Sequence, residues 1–308
     1  MSISVQQATR VGSKPGWLKP WQKAETWFAL LFILPSLIGF TLFYAIPAVR
    51  GVFISFTNWD LLTPAKSVGL ANYQRLLTDT DFWKAMWVTL TYVVINIFVQ
   101  TVLAVLIAVL MDRLTKSIVV RGVLILPYLL SNVVVALLWL WMLDPTLGVV
   151  NSFLQTIGFE RQPFFGAPSQ AIATIAGVNV WRHMGYTALL VFAGLQTIPK
   201  DVYEAGAIDG ATEWHMFWHI TLPLLRPVLV FVLVTTIIGS FQVFDTIAIT
   251  TQGGPAQATR VIMWYIFEFA FQRFNMGYAT TISIALFFIL ILVTIVQMRV
   301  LRANESDL

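Results

Sequence analysis

Ile198-Pro-Lys-Asp-Val-Tyr-Glu-Ala-Gly-Ala-Ile-Asp-Gly-Ala-Thr-Glu-Trp-His-Met-Phe-Trp-His-Ile-Thr-Leu-Pro223 is the stretch on which the reading of this chain turns. It separates two long apolar stretches and carries Lys200, Asp201, Glu204, Asp209, Glu213, His215 and His219, where its surroundings are nearly free of charge. Pro199 suits the first turn of a helix, and Asp201 and Glu204 follow where carboxylates meet the positive end of the helix dipole. Asp209-Gly210 is a turn signal, Gly210 can take a positive φ, and Thr212 can cap a second helix that Pro223 closes. A link between two membrane helices needs only a handful of residues. Two short helices joined by a sharp turn predict a docking surface instead.

Around that segment the composition leaves one class open. Apolar residues make up 58% of the 308 and charged residues 11%, against about 25% charged in an ordinary soluble domain. At that ratio a soluble fold lacks the polar surface it needs, so the chain is an integral membrane protein. Cysteine is absent, which removes disulfides, thiolate metal sites and a cysteine nucleophile. The net charge of +4 is spread over short loops with no Lys/Arg run of five, so nucleic acid is not an expected partner and membrane lipid is.

Charge-free runs mark the spans. Twenty-four uncharged residues separate Glu25 from Arg50, 27 separate Lys84 from Asp112, and 22 separate Arg121 from Asp144. Eighteen lie between Arg226 and Asp245, and 25 between Arg273 and Arg299. About 20 helical residues cross a bilayer, and only helices of this length keep every backbone group paired in lipid. With a sixth span that carries Arg182 and His183, the prediction is an all-α protein with six transmembrane helices at 26–49, 85–111, 122–143, 171–195, 227–250 and 277–299. They form one domain over 26–302, flanked by cytoplasmic tails 1–25 and 303–308. With the N-terminus inside, eleven Lys/Arg fall on the cytoplasmic side and seven outside, which puts loop 198–226 inside and both termini in the cytoplasm. The basic start and long first run predict a retained anchor rather than a cleaved signal peptide. Met263 to Phe274 reads as an aromatic amphipathic piece lying at the outer surface.

The chain lacks the chemistry to drive transport alone. No Gly-x-x-x-x-Gly-Lys-[Ser/Thr] phosphate loop occurs, and no zincin, nucleophile-elbow or Ser/His/Asp constellation. It is not expected to be an enzyme. His215 and His219 share a helix face at metal-ligand spacing, but no further ligand stands beside them. They read as contact residues of the docking helix.

Five blocks, in order, carry a resemblance. They are Trp181-Arg182-His183-Met184-Gly185, Ala193 to Pro199, Glu204-Ala205-Gly206 with Asp209-Gly210-Ala211 and Leu222-Pro223, Phe244-Asp245 with Thr251-Gln252-Gly253-Gly254-Pro255, and Gly277-Tyr278-Ala279. Together they resemble permease subunits of binding-protein-dependent ABC importers, in the carbohydrate-uptake branch, over roughly Asn72 to Arg299. The loop corresponds to that family's cytoplasmic EAA loop, with Gly206 where the family has Ala. The resemblance implies a type I importer (MetI-like) core in the bacterial inner membrane. It implies that Glu204, Ala205, Gly206, Asp209, Gly210, Ala211, Trp214 and Pro223 dock on an ATPase subunit. The partners it implies are two ATP-binding subunits that hold ATP and Mg, a second homologous permease (a heterodimer) and an extracytoplasmic solute-binding protein, with no cofactor in this chain.

Charges and amides inside spans are costly and mark function or helix contacts. Arg182 and Asp245 lie at depths that allow them to pair, or each stands solvated on its own. Asn96, Gln100, Asn132, Asn179 and Gln242 either line a solute path or glue helices together. A secondary transporter, with half-repeats and its own ion coupling, and a membrane-embedded enzyme remain the alternatives.

Overall fold

The structure is a computed structural model. It describes residues 20–301 apart from Lys116, with side chains from residue 27 onward. The expected tails therefore lie outside the described residues, save for 20–25 of the first. The described chain is helical, and its one extended pairing is a bridge between Thr57 and Ser67.

Residues up to Phe53 make a unit of their own, and Ile54 onward make a second. In the first, α1 (Pro20–Phe40) continues through a π turn (Thr41–Ala45) into α2 (Ile46–Ser55), which ends just inside the second unit. None of its apolar window from Trp27 is buried within the chain.

The second unit is built on α4 (Thr80–Leu114) and α8 (Pro168–Leu195), which pack against each other more extensively than any other pair. Ala104, Ala108 and Ala188, all fully buried, let the two backbones come close. Asp79 starts α4 by accepting from the amides of Asp81 and Phe82. Before it comes α3 (Ala71–Thr78), and after it come α5 (Ile118–Leu129), α6 (Asn132–Met142) and α7 (Val149–Thr156). Beyond α8 lie α9 (Lys200–Ile208), α10 (Glu213–Met216), α11 (Leu222–Leu224), α12 (Arg226–Phe241), α13 (Asp245–Thr250), α14 (Ile262–Phe267) and α15 (Met276–Val300).

Among the described residues four helical stretches are long and apolar enough to cross a membrane: Trp27–Ser55, α4, Arg226–Thr250 and α15. The pair α5 and α6 makes a fifth if counted as one span. The expected span 171–195 falls within the 28 residues of α8, about 42 Å of helix. Asn179, Arg182 and His183 make it less apolar than the others. By length and composition alone, four or five of the six expected spans are recovered among the described residues.

Span 122–143 is not one helix. It breaks at Leu130 and Ser131, both extended, and the halves meet at 93°. Pro127 weakens the last turn of α5, and the Ser131 hydroxyl accepts from Val134 N at 3.3 Å to start α6 afresh. The aromatic piece 263–274 is also placed differently from expectation. Trp264, Tyr265 and Phe269 are buried, not laid on the surface. The rings of Tyr265 and Tyr278 each pack edge-on to Phe269, at 4.9 Å, and both hydroxyls donate to Asp79. Partial burial pushes the Asp79 carboxyl up, but those two phenols and the two amides hold it below the usual carboxylate range. Beside it the buried Arg260 guanidinium bridges Glu268 at 2.6 Å and Asp81 at 3.3 Å. The aromatic piece is thus a wedge, fixed by a carboxylate, a guanidinium and three rings.

The approach of α5 to α8 sets the tightest constraint. A Cβ on Gly185 would stand 1.8 Å from the Leu124 carbonyl oxygen, so only glycine fits there. Gly185→Ala must force the backbones apart, at a cost of about 1–3 kcal/mol. Thermal melting in detergent is expected to fall for Gly185→Ala and to stay unchanged for Gly122→Ala, where an added Cβ meets nothing within 4 Å. Equal melting of the two would remove the contact.

Candidate functional site

A helix that ends inside a membrane leaves carbonyls without partners, and water is not there to satisfy them. At the break after α5 these carbonyls belong to Tyr128 and Leu130. Arg182 reaches across from α8 to meet them. Its Nε and Nη2 donate to the Leu130 oxygen at 3.2 and 2.8 Å, and Nη2 also donates to the Tyr128 oxygen at 3.1 Å. Its Nη1 donates to His183 Nε2 at 2.9 Å, an acceptor because Nδ1 spends its proton on the Asn179 carbonyl.

Of the two arrangements left open for Arg182 and Asp245, a direct pair is not formed, although the two charges lie within electrostatic reach of each other. Asp245 heads α13 and accepts from Asn132, the first residue of α6, at 2.6 Å. Among the described residues no hydrogen bond or ion pair joins it to Arg182. The guanidinium is instead consumed by the broken helix, a demand that span counting along the sequence does not register.

Beside the break a cleft of about 260 Å³ opens among α4, α5, α6, α8, α12 and the start of α13. Asn96, Gln100, Asn132, Asn179, Gln242 and Asp245 all line it, and Arg182 does not. They divide by burial. Asn96 and Gln100 are 1% and 4% exposed, and their amides are used up holding helices together. Asn96 donates to Ser240 at 2.9 Å and accepts from Asn179 at 2.8 Å, while Gln100 donates to Thr187 at 2.9 Å. That chain of bonds ties α4 to α8 and α12. Asn132, Asn179, Gln242 and Asp245 are more accessible. Sequence reasoning missed Tyr128 and Tyr186, whose rings stack at 4.4 Å and 9° on one wall. Their signal was faint, since two tyrosines far apart in sequence become a pair only once α5 is broken and lies against Gly185.

The loop after α8 is the second candidate. Pro199 precedes α9 as its cap and does not enter its first turn. The helix ends on Gly210, with φ of 78°. Gly210 N donates to Ala207 O at 3.1 Å and Ala211 N to Gly206 O at 2.9 Å, the paired closure of a Schellman turn. Thr212 caps α10 through His215 N at 3.3 Å. Pro223 does not close this helix. A π turn (Phe217–Thr221) widens it so that Leu222 N reaches Phe217 O, and Pro223, which has no N–H to place, sits in the short α11 that follows. Gly206 faces Ile220, whose Cδ1 would lie 3.1 Å from an added Cβ. Tyr203 and Thr221 join the two arms at 3.0 Å, and Arg113 at the end of α4 pairs with Glu213. Glu204, Ala205 and Asp209 are exposed. So are Ile208 at 86% and Trp214 at 71%, with Trp218 set edge-on to Trp214 at 5.6 Å.

Comparison with known proteins places this geometry in context. The family described as binding-protein-dependent transport system inner membrane component matches residues 100–306. The trehalose/maltose transport system permease protein MalF of Thermococcus litoralis is 34% identical over 284 residues, 92% of this chain and 96% of that one. The sulfoquinovosyl glycerol transport system permease protein SmoG of Agrobacterium fabrum is 31% identical over 294 residues, covering 94% and 96%. A crystal structure of a bacterial alginate ABC transporter, in complex with an alginate pentasaccharide-bound periplasmic protein, contains a chain similar at TM-score 0.80 and 25% identity, covering 91% of this chain and 96% of that one.

Removing the guanidinium takes the partner from the part-buried Tyr128 carbonyl and the exposed Leu130 carbonyl, at about 1–3 kcal/mol for the more buried of the two. Arg182→Ala is therefore expected to lower the melting temperature markedly, with Arg182→Lys in between because one ammonium cannot reproduce the forked donors. An Ala variant that melts like the parent would show that Arg182 does not hold the break.

Proposed function

Since the chain belongs to the family of binding-protein-dependent transport system inner membrane components, and so is the multi-pass permease of an importer and not an enzyme, we propose that the solute it passes is a carbohydrate or carbohydrate-like molecule. Similarity to trehalose/maltose and sulfoquinovosyl glycerol permeases along nearly the whole chain supports this. A solute-binding protein delivers the solute, a second homologous permease completes the pore as a heterodimer, and both termini face the cytoplasm. Ion-coupled transport and membrane-embedded catalysis give way to this reading.

The observation that carries the mechanism is the loop at 198–226. A locked turn holds two short helices, and an ion pair to α4 ties them to the membrane part. Ile208, Trp214 and Trp218 meanwhile stay exposed, as anchors for a partner. The partner is a separate ATP-binding subunit that holds ATP and Mg. Glu204, Ala205, Gly206, Asp209, Gly210 and Ala211 shape the docking surface, Trp214 fills the groove opposite, and Pro223 sits where the second arm runs into the membrane. Closure of two such subunits moves the loop, and the loop moves α4.

Two outcomes follow. Gly210→Pro, Asp209→Lys and Trp214→Ala are expected to leave the chain in the membrane yet cut copurification of the ATP-binding subunit at least about ten-fold, since a buried tryptophan anchor contributes about 2 kcal/mol or more. Full retention in all three would sink the docking role.

Orientation is open to a separate test, because the native chain has no cysteine. A cysteine at Ile208 should react with an impermeant thiol reagent only from the cytoplasmic side, and one at Ala256 only from outside. Reversed labelling would invert the topology.

A further inference from the structure

The charge on the cleft wall points to the class of solute, given the transport reading above. Asp245 is the one formally charged side chain among the described residues that line it, and no lysine or arginine does. The nearest guanidinium, Arg182, has all three nitrogens committed to the Tyr128 and Leu130 carbonyls and to His183. One Nη1 N–H stays unused, but Arg182 lies outside the lining and cannot swing into the cleft without releasing the carbonyls at the end of α5. Everything else suited to a ligand is neutral: the amides of Asn132, Asn179 and Gln242, and the flat pair of Tyr128 and Tyr186. Asp245 gives one oxygen to Asn132 and has a second left to accept from a hydroxyl.

We propose that this cleft passes uncharged polyhydroxylated solutes and rejects anionic ones. Amides and a carboxylate accept and donate to hydroxyls, and stacked rings suit the apolar face of a pyranose. A phosphate or carboxylate in the same place meets Asp245 directly, whereas the one guanidinium that interacts with Asp245, Arg182, stands outside the lining and is held by backbone.

The test is equilibrium binding of radiolabelled maltose to the chain in nanodiscs together with its partner permease, competed with glucose, glucuronate and glucose 6-phosphate. Glucose is expected to compete at least about ten-fold better than either anion, as one unscreened like charge implies. Asp245→Asn keeps the bond to Asn132 in shape and should narrow that gap. Gln242→Lys, at an exposed position on the wall, should reverse it even if Asp245→Asn folds poorly. Anions that compete as well as glucose, or a gap unmoved in both variants, would overturn the charge selection while leaving a carbohydrate permease intact. Maltose that fails to bind while a labelled amino acid saturates the cleft would overturn the carbohydrate reading itself.

Discussion

Two carbonyl oxygens at the end of α5 decide much of this molecule. Breaking a helix within a membrane is affordable only where something replaces the lost hydrogen bonds, and here one arginine does it from another helix. The consequences are geometric. Because Arg182 holds the Tyr128 and Leu130 carbonyls, α6 can leave at 93° and bring Asn132 to Asp245. Because Gly185 lets Leu124 sit against α8, Tyr128 lands on Tyr186. The cleft is what remains between the two halves.

The polar groups inside the helices separate into two jobs that their chemistry alone does not distinguish. Asn96 and Gln100 exchange bonds with Ser240, Asn179 and Thr187 and have little capacity left. Asn132, Asn179 and Gln242 stand further out. All of them face the cleft, but the deeper amides are occupied by bonds between helices while the outer ones stay accessible. The intramembrane charges separate likewise, one spent on backbone and the other left on the wall.

Much of this was legible in the sequence, and what was hidden has a common cause. The charge-free runs mark α4, α12 and α15 well, because lipid tolerates no charge in mid-span and the exclusion is written one residue at a time. Gly210 and Thr212 announce the turn and the cap for a similar reason, since each acts on its immediate neighbours. The break at Leu130 was not announced. Pro127 is a weak signal in a run as apolar as any other, and the partner that makes the break stable lies 52 residues on at Arg182. Pro223 misled in the opposite sense, because a π turn absorbed what looked like a stop. The aromatic run 263–274 shows polar and apolar faces that suit an interface, yet Asp79, nearly 200 positions earlier, draws Tyr265 and Tyr278 inward.

The length of α4 has a mechanical meaning. Its 35 residues make a rod of about 52 Å, well beyond the apolar thickness of a bilayer. One end ion-pairs with the loop through Arg113, and thirteen residues back, about 20 Å away, Gln100 stands on the cleft wall. No joint interrupts the helix between those points. An uninterrupted helix of this length couples its ends, so a displacement at the Arg113 end would tilt the shaft and carry Gln100 with it.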